Sequence, residues 1–291
     1  MYAAIEAGGT KWVCAVGKSP SDIAEMTRFP TRSPEHTLKD ALDFFSAMQK
    51  KHGKLKKMGI GCFGPVELDK NSPKWGYITS TPKIEWQNTE IAPLMAKKLG
   101  VDVAFDTDVN AAALAELTLG AGKGLSSLVY ITIGTGIGAG IIVDKKPIHG
   151  LVHPEAGHIL VRRHPDDSYK GLCPFHADCL EGMASGPAIS GRWGQPAENL
   201  EKTHKAWELE AYYLAQGIAN MVLTVSPERI VIGGGVSRQP ALFPHTRKHL
   251  LDFLAGYIAH PSILQETDNY IVPATLGQEA GIKGAFLLAI E

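Results

Sequence analysis

Asp108 stands in the run Asp106-Thr107-Asp108-Val109-Asn110, after an apolar stretch at Val101–Phe105 and before Ala111-Ala112-Ala113. A carboxylate where a buried strand meets a helix can orient a hydroxyl and accept its proton, as phosphoryl transfer to an alcohol requires. The same residue can be a helix N-cap, which on local sequence alone is the commoner role of such an Asp, and Asp106 carries the same ambiguity. Two glycine-rich turns supply a matching chemistry. Gly8-Gly9-Thr10-Lys11 and Gly134-Thr135-Gly136-Ile137-Gly138-Ala139-Gly140 can each aim successive backbone N–H groups at a phosphate, with a Thr hydroxyl as a further donor. Lys11 adds a cation. Either turn could be an ordinary hairpin, but two of them, each between apolar strands, point to phosphate binding. Residues 134–139 also fit the dinucleotide fingerprint formally. That fingerprint needs a helix after its glycines, whereas Ile141-Ile142-Val143 reads as strand, and no P-loop occurs anywhere.

A third cluster is of metal-ligand type. Cys173, His176 and Cys179 recur at intervals of three, with His158 fifteen residues before the first of them. Two thiols and two imidazoles suit a closed tetrahedral zinc site, which could hold an otherwise irregular stretch folded. His149, His153 and His164 are close enough in sequence to exchange with one of the histidines. The alternative is two buried thiols and a surface His.

These groups need elements to position them. Ala3-Ala4-Ile5 and Trp12–Val16 read as strands on either side of the first glycine turn, and Leu128–Ile133 and Ala139–Val143 do so around the second. A unit that opens on such a hairpin therefore occurs twice. Helices are expected at 35–52, 89–99, 111–119, 206–225 and from Gly277 to Ile290, and strands at 58–62, 101–105 and 229–232. Residues 144–205 read as irregular. Strands mixed with helices give an α/β class, and Cys14 and Cys62 fall in apolar strand-like runs as core residues.

Composition narrows the function classes. The 291 residues carry a formal net charge of −1, with 44% hydrophobic and 20% charged residues. That balance fits a globular enzyme and not a dedicated nucleic-acid binder. No apolar run reaches the length of a membrane span, and the first residues lack the pattern of a secretory leader, so a cytoplasmic protein with reduced thiols is expected.

Taken in order, Glu6-Ala7-Gly8-Gly9-Thr10-Lys11, Asp108-Val109-Asn110-Ala111-Ala112, Gly134–Gly138, Glu155-Ala156-Gly157-His158, the Cys/His run and Gly233-Gly234-Gly235 resemble the ROK family of bacterial sugar kinases and repressors. The resemblance spans essentially the whole chain and is closest to the zinc-containing fructokinase branch. It implies an actin-like, ribonuclease H-like ATPase fold with two lobes around a cleft. The lobes would be residues 1–110 with the last helix, 277–291, and residues 111–276 with a zinc-binding insertion at 150–185. It implies ATP, Mg²⁺ and structural Zn²⁺ as cofactors, fructose as sugar, a homodimer, and transfer of the γ-phosphate to the fructose 6-hydroxyl.

The resemblance also assigns roles. Asp108 is the base. Gly8, Gly9, Thr10 and Lys11 lie against the phosphates, Gly134, Thr135 and Gly136 form a second phosphate contact, and Gly233, Gly234 and Gly235 face the nucleoside. Gly64, Pro65, Lys83, Thr107, Glu155, His158 and Glu181, with Asp108, bind the sugar. His158, Cys173, His176 and Cys179 hold zinc. Several positions depart from the wider family: Glu6 where Asp is common, Thr107 where glucokinases carry Asn, and Cys-Pro-Phe-His in the zinc run. These three match the fructokinase branch, whereas Ile84-Glu85-Trp86 after Thr81-Pro82-Lys83 departs even from its usual x-Gly-Trp. Alternatives are a kinase for glucose, mannose or N-acetylglucosamine, and a sugar sensor without turnover. Repressors of the family carry an N-terminal helix-turn-helix; here the first strand opens the chain, so DNA binding is not expected.

Overall fold

In the computed structural model, which describes residues 1–290, the first glycine turn joins β1 (Tyr2–Ala7) to β2 (Lys11–Ser19) as an antiparallel pair, extended by β3 (Asp22–Pro30). The chain then runs through α1 (Pro34–His52) to β4 (Lys57–Cys62), which pairs with β1 in parallel. A small hairpin of β5 (Tyr77–Ile78) and β6 (Thr89–Glu90) precedes α2 (Ala92–Leu99). β7 (Asp102–Thr107) completes a five-stranded sheet of order β3-β2-β1-β4-β7 and leads straight into α3 (Asp108–Leu119).

Strand alternation explains why β1 and β2 are apolar on both faces. Ala3, Ile5, Ala7, Trp12, Cys14 and Val16 pack with Leu38, Ala41 and Phe45 of α1. Their neighbours Ala4, Val13 and Ala15 pack on the opposite face with Ile282, Ala285 and Phe286 of the C-terminal helix, Ala280–Ile290. β3 lies at the edge and alternates between exposed and half-buried residues. The C-terminal helix comes very close to its supports. A Cβ on Gly59 of β4 would lie 1.8 Å from the carbonyl oxygen of Ala285, and one on Gly284 would lie 1.8 Å from that of Ala111. Backbone cannot yield there as a flexible side chain would, so Gly59→Ala is expected to cost about 3 kcal/mol, read as a lower denaturation midpoint with an unchanged slope.

The chain divides into two compact units, the first comprising Met1–Ala115, Pro147–Pro154 and the residues from Gln278 onward. The second comprises Glu116–Lys146 and Glu155–Gly277. It repeats the hairpin-first pattern with β8 (Leu128–Ile133), β9 (Ile137–Val143) and the short edge strand β10 (Lys146–Pro147). The span expected to be irregular contains α4 (Leu180–Ala184) and α5 (Gly186–Trp193). Both are too short to show helical periodicity, and Gly186-Pro187 reads as a break, although Ser185 caps α5 by accepting the Ala188 N–H. Next come α6 (Ala206–Val225), β11 (Ile230–Gly233), α7 (Leu242–Leu254), the single-turn helices α8 (Pro261–Leu264) and α9 (Thr267–Tyr270), and β12 (Ile271–Pro273). The sheet order is β10-β9-β8-β11-β12, with β8, β11 and β12 parallel. No helix among the described residues is long and apolar enough to cross a membrane.

Three helix starts differ from expectation by three residues each. α2 starts at Ala92 and not at 89, because Thr89–Glu90 pair with β5 and Pro93 occupies the first turn. α3 starts at Asp108, three residues before its alanines. The helix expected from Gly277 is a 3-10 turn over Gly277–Glu279, with α-helix from Ala280.

Candidate functional site

Asp108 opens α3 but does not cap it. The Thr107 Oγ1 accepts the Asn110 N–H at 3.1 Å, the hydrogen bond of an N-cap to the third helical residue. Thr107, expected among the sugar contacts, is buried and held in this role. Asp106 is also structural. Its Oδ1 accepts from the Thr107 N–H and the Asn110 amide, each at 2.7 Å, and its Oδ2 lies 2.9 Å from His149 Nε2. The hydrogen bond to Asp106 lifts the His149 pKa above its ordinary value. With the capping and pinning roles taken by its neighbours, Asp108 keeps a carboxylate whose hydrogen bond is a local one, from the Val109 N–H at 2.9 Å. Burial pushes its pKa up to about 6.

Glu6, at the end of β1, is pushed up to about 7, chiefly by burial, with the Asp108 charge adding and Lys11 and Arg28 opposing. Its Oε2 is buried without a hydrogen-bond partner among the described residues. In the turn that follows, the Gly8 N–H donates to the Lys11 carbonyl at 3.0 Å. Thr31 clasps the turn from β3's end: its hydroxyl donates to the Gly8 carbonyl at 2.7 Å and its N–H to that of Thr10 at 2.9 Å. Gly64-Pro65 follows β4 as a cis peptide. The next residue, Val66, donates its N–H to His153 Nε2 at 3.0 Å. His149 and His153 thus tie the segment 147–154 to the first unit, a placement with no sequence signal because the partners are 43 and 87 residues away.

In the second unit the Gly134 N–H donates to the Gly136 carbonyl, and the Gly186 N–H at the start of α5 donates to the Gly134 carbonyl, both at 2.9 Å. β9 follows the turn as a strand, which excludes the dinucleotide fingerprint. Glu181 Oε2 accepts the Ile137 N–H at 2.9 Å, and a Cβ on Gly136 would meet that oxygen at 2.5 Å. Glu181, expected to bind sugar, therefore supports the Gly134–Gly138 turn. Gly233 and Gly234 close on β8: a Cβ on the first would meet the Tyr130 hydroxyl at 2.4 Å, and Gly234, at φ +90°, lies against the Ile133 backbone. Gly235 has open space beside it. Glu155 is exposed at the head of the 3-10 turn Ala156–His158, its carbonyl accepting the His158 N–H at 2.9 Å.

The ligand atoms of His158, Cys173, His176 and Cys179 all lie within 4.8 Å of one another. His158 Nδ1 is 3.6 Å from the Cys173 sulfur and 3.5 Å from that of Cys179, and His176 Nδ1 is 3.6 Å from Cys173. Two sulfurs and two ring nitrogens converging at these distances fit a tetrahedral zinc ion. His149 and His153 are engaged elsewhere, and His164 stacks edge-on against Tyr212. The outer nitrogen of His158, Nε2, lies 3.9 Å from Glu181 Oε1. A line of contacts therefore runs from the Cys/His cluster through His158 and Glu181 to the Gly136-Ile137 turn. Of the expected site residues, Gly8, Gly9, Thr10, Lys11, Gly64, Pro65, Lys83, Thr107 and Asp108 belong to the first unit, and the remainder to the second.

The sequence pattern of the ROK family matches residues 2–291. A fructokinase of Zymomonas mobilis is 43% identical, over 100% of this chain and 96% of its own. A fructokinase of Streptococcus mutans is 40% identical, over 99% and 97%. Among solved structures, a ROK family glucokinase from Streptomyces griseus, in complex with glucose and AMPPNP, superposes with a TM-score of 0.73 at 25% identity, covering 99% of each chain. The fold is that of actin-like ATPases, and on the full-length match and these relatives the chain belongs to the ROK family.

Proposed function

We propose that the chain is an ATP-dependent fructokinase that phosphorylates the 6-hydroxyl of D-fructose. The observation that carries this reading is the Asp108 carboxylate: relieved of capping by Thr107, raised by burial, and electrostatically coupled to Glu6, which precedes the Gly8–Lys11 turn. The names of two relatives aligned over nearly their full lengths supply the sugar. In this reading Asp108 accepts the hydroxyl proton as fructose O6 bonds to the γ-phosphorus. The bond from that phosphorus to the β–γ bridging oxygen breaks, and its electron pair leaves with ADP. The turns at Gly8–Lys11 and Gly134–Gly136 hold phosphate oxygens of MgATP, and Gly233–Gly235 faces its nucleoside. Gly64, Pro65, Thr107, Glu155, His158 and Glu181 shape the sugar site.

Zinc, held by His158, Cys173, His176 and Cys179, is a structural cross-link and takes no part in the transfer. The enzyme would draw on cytoplasmic ATP and act as a homodimer, both supported by family resemblance. The test is ADP release from MgATP against a panel of hexoses, with zinc retained. Fructose-dependent release with fructose 6-phosphate as product is the expected result. Preference for glucose or mannose would overturn the sugar assignment, and release with none of them would leave a binding role.

A further inference from the structure

Lys83 lies on the loop between β5 and β6, and its side chain crosses the first glycine turn: a Cβ on Gly9 would sit 3.4 Å from Lys83 Cε. This placement is built into the fold. Three residues on, Trp86 is buried with its ring centre 5.7 Å from that of Trp12, the residue after Lys11, and 5.5 Å from that of Phe63. The Trp86 indole N–H donates to the Arg32 carbonyl at 3.0 Å, and its backbone N–H to the Lys83 carbonyl at 2.8 Å. On the other side Thr81 is buried, and its carbonyl accepts from the Gln87 amide at 2.9 Å. The backbone of Lys83 is thus held from both ends, while its side chain is exposed and pairs with no carboxylate among the described residues.

We propose that Lys83 meets the phosphoryl group as it passes from ATP to the sugar, and is not primarily a contact for sugar hydroxyls. An ammonium is a compact point charge with donors only, better matched to phosphate oxygens than to hydroxyls that both give and accept. The Lys83 Cε lies in van der Waals reach of Gly9, so the ammonium charge adds to the N–H groups of the turn and to Lys11. Negative charge on the transferring group would then be met by a preplaced cation as the bond to O6 forms and the bridging oxygen leaves with ADP. The inference rests on the fructokinase reading.

The test compares Lys83→Gln and Lys83→Arg with the wild type, measuring turnover with MgATP and fructose and, by calorimetry, binding of fructose and of fructose 6-phosphate. Lys83→Gln is expected to lower kcat about 10²-fold. It should weaken fructose 6-phosphate at least about tenfold and leave fructose affinity unchanged, and Lys83→Arg should recover part of each loss. Turnover in Lys83→Gln equal to wild type, or fructose and fructose 6-phosphate weakened alike, overturns the assignment. Wild-type protein inactive on fructose sinks the functional reading and this inference together, whereas an active wild type with an unimpaired Lys83→Gln sinks the inference alone.

Discussion

Asp108→Asn is expected to lower turnover of fructose by about 10²–10⁴-fold, the range lost with a general base, while fructose binding should largely survive. The amide keeps the shape of the side chain and cannot take the proton. If Asp108 were a helix cap, the result would invert, with turnover intact and the melting temperature lowered. Because Thr107 already caps α3, the variant is expected to melt at or above the wild type. Burial raises the Asp108 carboxyl to about 6, so the folded chain holds this proton more tightly than the unfolded chain does. Its ionised form therefore costs stability, and that contribution worsens as pH rises from about 4 through 6; Asn removes the charge.

The same group is expected to set a pH dependence. Only the ionised carboxylate can act as base, so kcat/KM, which reports the free enzyme, should fall tenfold per pH unit below about 6 and level off above it. Glu6, pushed up to about 7, titrates in a neighbouring range. Glu6→Gln separates them: the acid limb persists if Asp108 sets it and disappears if Glu6 does. Full turnover by Asp108→Asn would remove the base assignment altogether.

The hairpins were legible because strand alternation and glycine are local signals. Ala3-Ala4-Ile5 and Trp12–Val16 are apolar at every position, and apolar residues on both faces mark a strand covered on both sides, as α1 and the C-terminal helix cover these. The division of roles around Asp108 was only half legible. Thr107, Asp108 and Asn110 are all plausible first-turn polar residues, and the cap is settled by which oxygen reaches the Asn110 N–H, a matter of backbone geometry. Nothing in the sequence links Asp106 to His149, or Gly136 to Glu181, since those contacts close loops of 43 and 45 residues. Lys83 illustrates a similar limit. Resemblance placed it by its neighbours Thr81 and Pro82, but its position over Gly9 depends on where the Trp86 ring is buried, and the residue just before that ring, Glu85, is where this chain departs from the branch's x-Gly-Trp.

Purified protein is expected to contain about one zinc per chain, and its removal should have the largest structural effect of any change considered for the second unit. Around the cluster the backbone is held mainly by short-range contacts. Cys173 and Ala177 exchange N–H to carbonyl hydrogen bonds at 3.2 and 2.9 Å, and Ala177 adopts a left-handed φ of 57°. Gly171, at φ +92°, packs directly on the Ala177 carbonyl. His176 and Phe175 are exposed, so little apolar burial compensates for ordering this turn. Isolated zinc modules gain about 10–16 kcal/mol from the metal; losing even about 5 of these would lower the melting temperature by about 10–20 °C. Cys179→Ser, which keeps the size but not the thiolate, should do the same and expose the segment 160–178 to protease. The loss should also reach turnover. His158 would no longer be fixed beside Glu181, whose other oxygen holds the Ile137 N–H at the turn proposed to hold phosphate, so the KM for MgATP should rise along with that for fructose. Protein that contains no zinc when purified without chelators, and that melts identically before and after chelation, would show Cys173 and Cys179 to be two buried thiols beside two histidines.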